Sequence, residues 1–109
     1  MATARFQDLR VYQVAEELAD ALWPIMLGWD SIAQYTVGQQ MVRAADSIGG
    51  NIAEGTGRKS FQDNRRYVRI ARGSLYETQH WLRRAFKRKL LTSTQVGQIH
   101  LSWTASAHC

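Results

Sequence analysis

One cysteine, Cys109, is the whole thiol complement of the chain, so an intrachain disulfide is excluded. Three histidines stand beside it without any paired Cys/His spacing, which removes the pattern of a structural zinc site. One proline, Pro24, leaves most of the 109 residues free to be helical. No apolar run approaches the roughly 18 residues of a membrane span. The segment MATARFQDLR holds no apolar signal core, and a cytoplasmic location is expected. What is present is a globular balance, 45% hydrophobic and 21% charged, which argues against disorder. A single domain over residues 1–109 is expected, long enough to bury roughly 65% of its unfolded surface.

The net charge of +5 is unevenly placed. From Met1 to Gly57 three basic residues face seven acidic ones, net −4, whereas Arg58–Lys89 carries eleven basic and two acidic residues, net +9. Such segregation suggests a surface for a polyanion, or for a charge-complementary subunit. A solvated face that serves solubility alone is the plainer alternative, but nine excess charges in so short a stretch are steep for it.

Hydrophobic periodicity predicts four helices, over about 8–23, 35–54, 60–88 and 93–106. The first repeats Val11, Ala15, Leu18, Leu22 and Ile25 on one face, with Phe6 stapling its start and Asp8 near its positive end. Pro24 should end or kink it, and Trp29–Thr36 reads as a loop or a lead-in. The second carries Val37, Met41, Ala44, Ala45, Ile48 and Ile52, interrupted by Gly49-Gly50, which cost about 2 kcal/mol of helix stability relative to alanine. Gly55 stands where a left-handed C-terminal cap is expected.

Ser60 is the expected N-cap of the third helix, with Asp63 three residues on. Its heptad places Phe61, Val68, Leu75 and Leu82 at one core position and Asn64, Ala71, Thr78 and Ala85 at the other. Arg65, Arg66, Arg69, Arg72, Arg83, Arg84 and Lys87 then fall on the outward positions. The fourth helix starts at Thr92 or Ser93, with Val96, Ile99, Trp103 and Ala107 as its stripe. Short connections make an all-α, up-down-up-down antiparallel four-helix bundle the simplest architecture.

Chemistry-bearing patterns are few. Glu77 and His80 have the Glu-x-x-His spacing of di-metal bundles, but no second such motif exists and both face outward, so an exposed pair is expected and no metal. Gly55-Thr56-Gly57-Arg58-Lys59-Ser60 lacks the Gly-Lys pair and the preceding strand of a nucleotide-binding loop. Free N–H groups beside Arg58 and Lys59 remain compatible with a phosphate, as with an ordinary interhelical turn. Ser74 reads as a packing residue, and Asn51 and Glu54 as structural partners of the corner or of Arg58 and Arg72. Trp23, Trp29, Trp81 and Trp103 read as core or interface rather than as base-stacking faces, with Trp81 set beside Arg84 and Arg88.

Three clusters resemble one family. They are Phe6, Asp8, Leu9, Val11, Tyr12, Gln13 and Ala15; Gln40, Ala44, Ala45, Ser47, Ile48, Asn51, Ile52, Ala53, Glu54, Gly55 and Arg58; and Ala71, Arg72, Gly73, Ser74, Leu75, Glu77 and Thr78. This pattern, from about Phe6 to Leu91, resembles the 23S rRNA intervening-sequence protein family, also called the four-helix bundle protein family. The resemblance implies an up-down bundle and, through the related accessory variability determinant of diversity-generating retroelements, a ring-shaped pentamer that assists a reverse transcriptase and its RNA. Gly49-Gly50 and Trp23-Pro24 depart from the family pattern and bear on subunit contacts. No catalytic motif and no cofactor come with it.

The expected function is a non-enzymatic, oligomeric nucleic-acid-binding accessory protein. Its expected binding residues are Arg58, Lys59, Arg65, Arg66, Arg69, Arg72, Arg83, Arg84, Lys87 and Arg88, gripping RNA or DNA phosphates with low sequence selectivity. The alternative is an interaction scaffold that docks an acidic protein or the acidic half of a neighbouring subunit.

Overall fold

The computed structural model describes residues 5–99, and every regular element among them is helical. A 3₁₀ turn at Phe6–Asp8 leads into α1, Arg10–Leu27. A continuous helical run, α2, follows as an α turn at Ser31–Ala33, a π segment at Gln34–Gly38 and an α segment at Gln39–Thr56. The long α3 spans Phe61–Lys87, and a short α4 occupies residues 93–99. The body is elongated, 49 × 23 × 18 Å.

Helix α1 runs through Pro24 rather than stopping at Trp23. Proline removes one backbone donor, and here Pro24 and Asp20, whose carbonyl loses that partner, both lie on the exposed side of the helix. Leu22 and Met26, buried on either side of Pro24, hold the last turn to the core. The face is the expected one, except that Val14 is fully buried while Val11 and Ile25 lie at its margins. Phe6 meets Tyr12 edge-on at 4.9 Å between ring centres, the staple its position suggested.

The Trp29–Thr36 stretch is helical from Ser31 onward. The Asp30 carboxylate accepts the Ala33 N–H at 2.9 Å and caps the run. The Gln34 carboxamide donates to the carbonyls of Met26 and Leu27, which closes the end of α1 onto the start of α2. The π segment sets Val37 and Gly38 side by side in the core, where a Cβ on Gly38 would lie 2.6 Å from Met26 Cγ. Helical structure continues through Gly49-Gly50, which do not interrupt it.

Helices α1 and α2 run antiparallel, as do α2 and α3. Between α1 and α2, Tyr12 packs at Gly49 and Met26 at Gly38. Between α2 and α3, Gly55 lies against Tyr67, Ser47 Oγ is 2.9 Å from Ser74 Oγ, and Arg43 pairs with Glu77. Leu18, Leu22, Met41 and Val14 are fully enclosed, each contributing roughly 1.5–3 kcal/mol. Trp29 donates its indole N–H to the Leu90 carbonyl at 2.9 Å, joining the α1–α2 link to the end of α3.

Gly55 is not the left-handed cap that its position suggested. It lies inside α2, the helix ends at Gly57 with φ −79°, and no glycine has positive φ among the described residues. Its purpose is steric: a Cβ there would sit 2.9 Å from Tyr67 Cβ and 3.4 Å from the Asn64 carbonyl, and Asn64 Nδ2 donates to the Gly55 carbonyl at 2.8 Å. A Cβ on Gly50 would meet nothing within 4 Å. Gly55→Ala should therefore destabilise by about 1–2 kcal/mol, overpacking outweighing helix propensity, while Gly50→Ala stabilises by up to about 1 kcal/mol. Thermal melts of the two variants beside the parent check both signs.

The left-handed cap belongs to α3 instead. Lys89 has φ 63°, its N–H bonds to Phe86 O, and the Leu90 N–H reaches Ala85 O, a Schellman closure built without glycine. A reciprocal capping box opens α4, with Thr92 N–H on Gln95 Oε1 at 2.9 Å and Gln95 N–H on Thr92 Oγ1 at 3.1 Å. Ile99 is buried; Trp103 and Ala107, expected on the same stripe, lie outside the described residues.

Candidate nucleic-acid interface

Helix α3 owes its length and direction to a cap and a strip of small residues. Ser60 Oγ accepts the Asp63 N–H at 3.1 Å, as the sequence indicated. Ala71, Thr78 and Ala85 are buried, with Asn64 half-buried above them, and they set the helix close along α2. Thr78 is satisfied in the core by donating to the Ser74 carbonyl at 2.8 Å.

The other half of the heptad is only partly covered. Leu82 is buried, Leu75 is intermediate, and Phe61 and Val68 are 78% and 52% exposed. Close approach of α2 through the small strip leaves the larger residues standing to one side of the contact. They gain cover only where another element reaches them, as at the Leu82 end. Val68, Ala71 and Leu75 face Leu9 and Val11 of the first helical region across an apolar cleft of about 220 Å³.

The cationic side chains stand outward from that frame. Lys59, Arg65, Arg66, Arg69, Arg72, Arg83, Lys87 and Arg88 are exposed and Arg84 is half-buried. None of these nine has an ion pair among the described residues. Arg66 lies over the Tyr67 ring at 5.3 Å, a contact that leaves its charge uncompensated. Arg58 differs from them. Its guanidinium reaches Glu54 at 3.2 Å and the Tyr67 hydroxyl at 2.8 Å, so part of its charge is already neutralised.

At the Gly55–Ser60 corner, Gly57 N–H bonds back to Ala53 and Glu54 carbonyls and Arg58 N–H to Gly55 O. With Ser60 occupying Asp63 N–H, and Glu54 and Asp63 supplying negative charge, the corner works first as an interhelical turn. Asn51 donates to Ser47 O and Oγ, a structural role as expected.

Glu77 is not part of a free, exposed pair with His80. Its carboxylate takes Arg43 from α2 and the Trp81 indole N–H at 3.1 Å. The His80 ring stands edge-on to Trp81 at 4.8 Å. No group of three His, Cys, Asp or Glu side chains able to hold a metal occurs among the described residues. Arg43 was not among the residues that the sequence singled out. Its partner lies 34 residues away, a pairing that helical spacing does not reveal.

Negative charge gathers on the opposite flank. Glu16, Asp20 and Asp46 line a groove between α1 and α2 with Tyr12 and Gly49. Burial, then the Asp20 carboxylate, holds the Asp46 carboxyl above its ordinary value, and burial followed by the Glu16 hydrogen bond raises the Tyr12 phenol. A carboxyl raised on folding favours the folded state below its ordinary pKa, and that contribution is lost as pH rises through the raised value. Asp46→Asn should accordingly raise the melting temperature slightly at pH 7 and leave it unchanged near pH 3, as paired calorimetric scans can show.

The family model for the 23S rRNA-intervening sequence protein matches residues 7–105. The chain belongs to that family. The match runs on past Leu91, where the resemblance in the sequence ends, and takes in all three long helices and α4. No relative emerged among curated proteins. In this family member, no described helix is long and apolar enough to cross a membrane.

Proposed function

We propose that this family member is a non-enzymatic, oligomeric accessory protein that binds the phosphate backbone of RNA or DNA. The observation that carries the reading is the surface of α3 and its two ends, where nine exposed or half-exposed cations, seven of them on the helix, lack ion pairs among the described residues. A protein that needed these charges only for folding would have paired them. Here they are held on a rigid rod at the spacing of helical turns and kept hydrated until a polyanion displaces counterions.

The finer parts of the proposal are an up-down-up-down bundle closed by α4 and a cytoplasmic location, both read from the sequence pattern, and, by family resemblance, assembly into a ring of five copies and service to a reverse transcriptase like that of the retroelement accessory determinant. A ring would multiply the basic face and add avidity. With five or six phosphates engaged, log affinity should fall with log salt at a slope of about −4 to −5 in an anisotropy titration. A slope near zero removes the reading.

The acidic groove of Glu16, Asp20 and Asp46 favours a second reading, a scaffold in which basic and acidic flanks of neighbouring copies meet. Charge reversal at Arg65, Arg69 and Arg72 separates the two. Under the scaffold reading, oligomer mass by light scattering collapses in a protein that never bound nucleic acid.

A further inference from the structure

An aromatic groove lies outside the basic face as described so far. Trp23, Met26 and Leu27 of α1 form one wall, and Gln34, Tyr35, Gln39 and Val42 of α2 the other, enclosing about 380 Å³ with Arg43 at its rim. Trp23 is 50% and Tyr35 75% exposed, although both are large and apolar. The groove exists because α1 continues past Pro24, where the sequence suggested a stop or a kink, and because the lead-in to α2 is helical, its π segment beginning one short turn after Asp30. Both events place aromatic residues at facing helix ends.

We infer that this groove is a stacking site for an unpaired base of a single-stranded nucleic acid, an inference that rests on the nucleic-acid reading above. Three observations select that occupant. The lining combines two ring systems from different helices with polar groups that have no partner among the described residues, namely the Gln39 carboxamide and the Trp23 indole N–H. A base offers a π face to the rings and a polar edge to the amide, a combination that an aliphatic side chain lacks.

Charge also favours it. The Arg43–Glu77 and Ser47–Ser74 contacts fix the register of α2 on α3, which puts Gln39 level with Trp81 and Tyr35 level with Arg84 and Arg88. Helix α3 touches the π segment directly at this level. A strand leaving the groove over Arg43 therefore meets the unpaired cations Arg84 and Arg88, while Glu77 is neutralised by Arg43. At the other end, Asp20 and Asp46 repel phosphates, so the strand is directed one way.

The groove adds what the backbone contacts lack, discrimination of single strands from duplexes, because a paired base cannot leave its stack without cost. The test uses a fluorescently labelled ten-nucleotide RNA and a ten-base-pair RNA duplex in anisotropy titrations at one salt concentration. The double variant Trp23→Ala with Tyr35→Ala should bind the single strand about 5- to 150-fold more weakly and the duplex as the parent does. Tyr35→Phe keeps its ring and should keep the affinity, whereas Trp23→Phe keeps a ring but gives up the indole N–H and should fall between the parent and the alanine variant. Trp23 is half exposed and Tyr35 largely so, so thermal melts should show a modest drop for the alanine variant and little change for the phenylalanine ones, all remaining folded at the assay temperature.

Equal single-strand binding by parent and double variant would overturn the inference while the basic-face reading stands. Equal losses on both probes would overturn it too, since stacking acts on unpaired bases. Failure of the basic-face reading looks different: the parent then binds neither probe, and both proposals fall.

Discussion

Replacing Arg65, Arg66, Arg69 and Arg72 together by glutamine should lower affinity for a short duplex on the order of a hundredfold or more at low salt. It should also flatten the salt slope by about 3 to 4, close to one released counterion per lost charge. The size of the effect follows from the structure. All four guanidinium groups are exposed, and none spends its charge on a carboxylate among the described residues. Stability should hold or rise, because Arg65 and Arg69 repel at i, i+4, as do Arg66 with Arg69 and Arg69 with Arg72 at i, i+3. Arg58→Gln is the internal comparison: already paired with Glu54, it should cost less than an unpaired arginine of α3. If the quadruple variant binds as the parent does, these arginines do not form the interface.

Leu18→Ala should cost about 2–5 kcal/mol and lower the melting temperature by roughly 10–30 °C. Leu18 is fully enclosed, in one cluster with Leu22, Met41, Ala45 and Ile48, and α1 has no neighbour with slack to fill the void. Val68→Ala is the matching control. Both residues lie on apolar stripes of comparable regularity, yet Val68 is half exposed and its truncation should cost under about 1 kcal/mol. Chemical denaturation of the two variants decides the point. Similar costs would mean that Val68 is covered in solution, for example by another copy across the cleft it shares with Leu9 and Val11.

The contrast between Leu18 and Val68 shows how far periodicity reaches. On α2 the expected stripe of Val37, Met41, Ala44, Ala45, Ile48 and Ile52 is buried throughout, because this helix is central and has neighbours on two sides. On α3 the same kind of pattern identifies the inward half, but only the small-residue strip meets α2 along its length. Phe61 and Val68 look identical to Leu82 in a heptad count and differ in what arrives beside them. Pro24 is the converse case, a local breaker overridden because Leu22 and Met26 are anchored on both sides of it.

The order of amino acids alone determined that this chain is helical, where Ser60 starts the long helix, and that Arg65, Arg66, Arg69, Arg72, Arg83 and Lys87 point outward. Those are properties of residues within a few turns of one another, and a 3.6-residue period records them directly. Tertiary packing decided the rest: that Glu77 belongs to Arg43, that Gly55 is a contact point for Tyr67 rather than a cap, and that Trp23 and Tyr35 share a groove. Each of those outcomes depends on which helix lies alongside and at what register, a matter of contacts between segments far apart in the chain that no local repeat encodes.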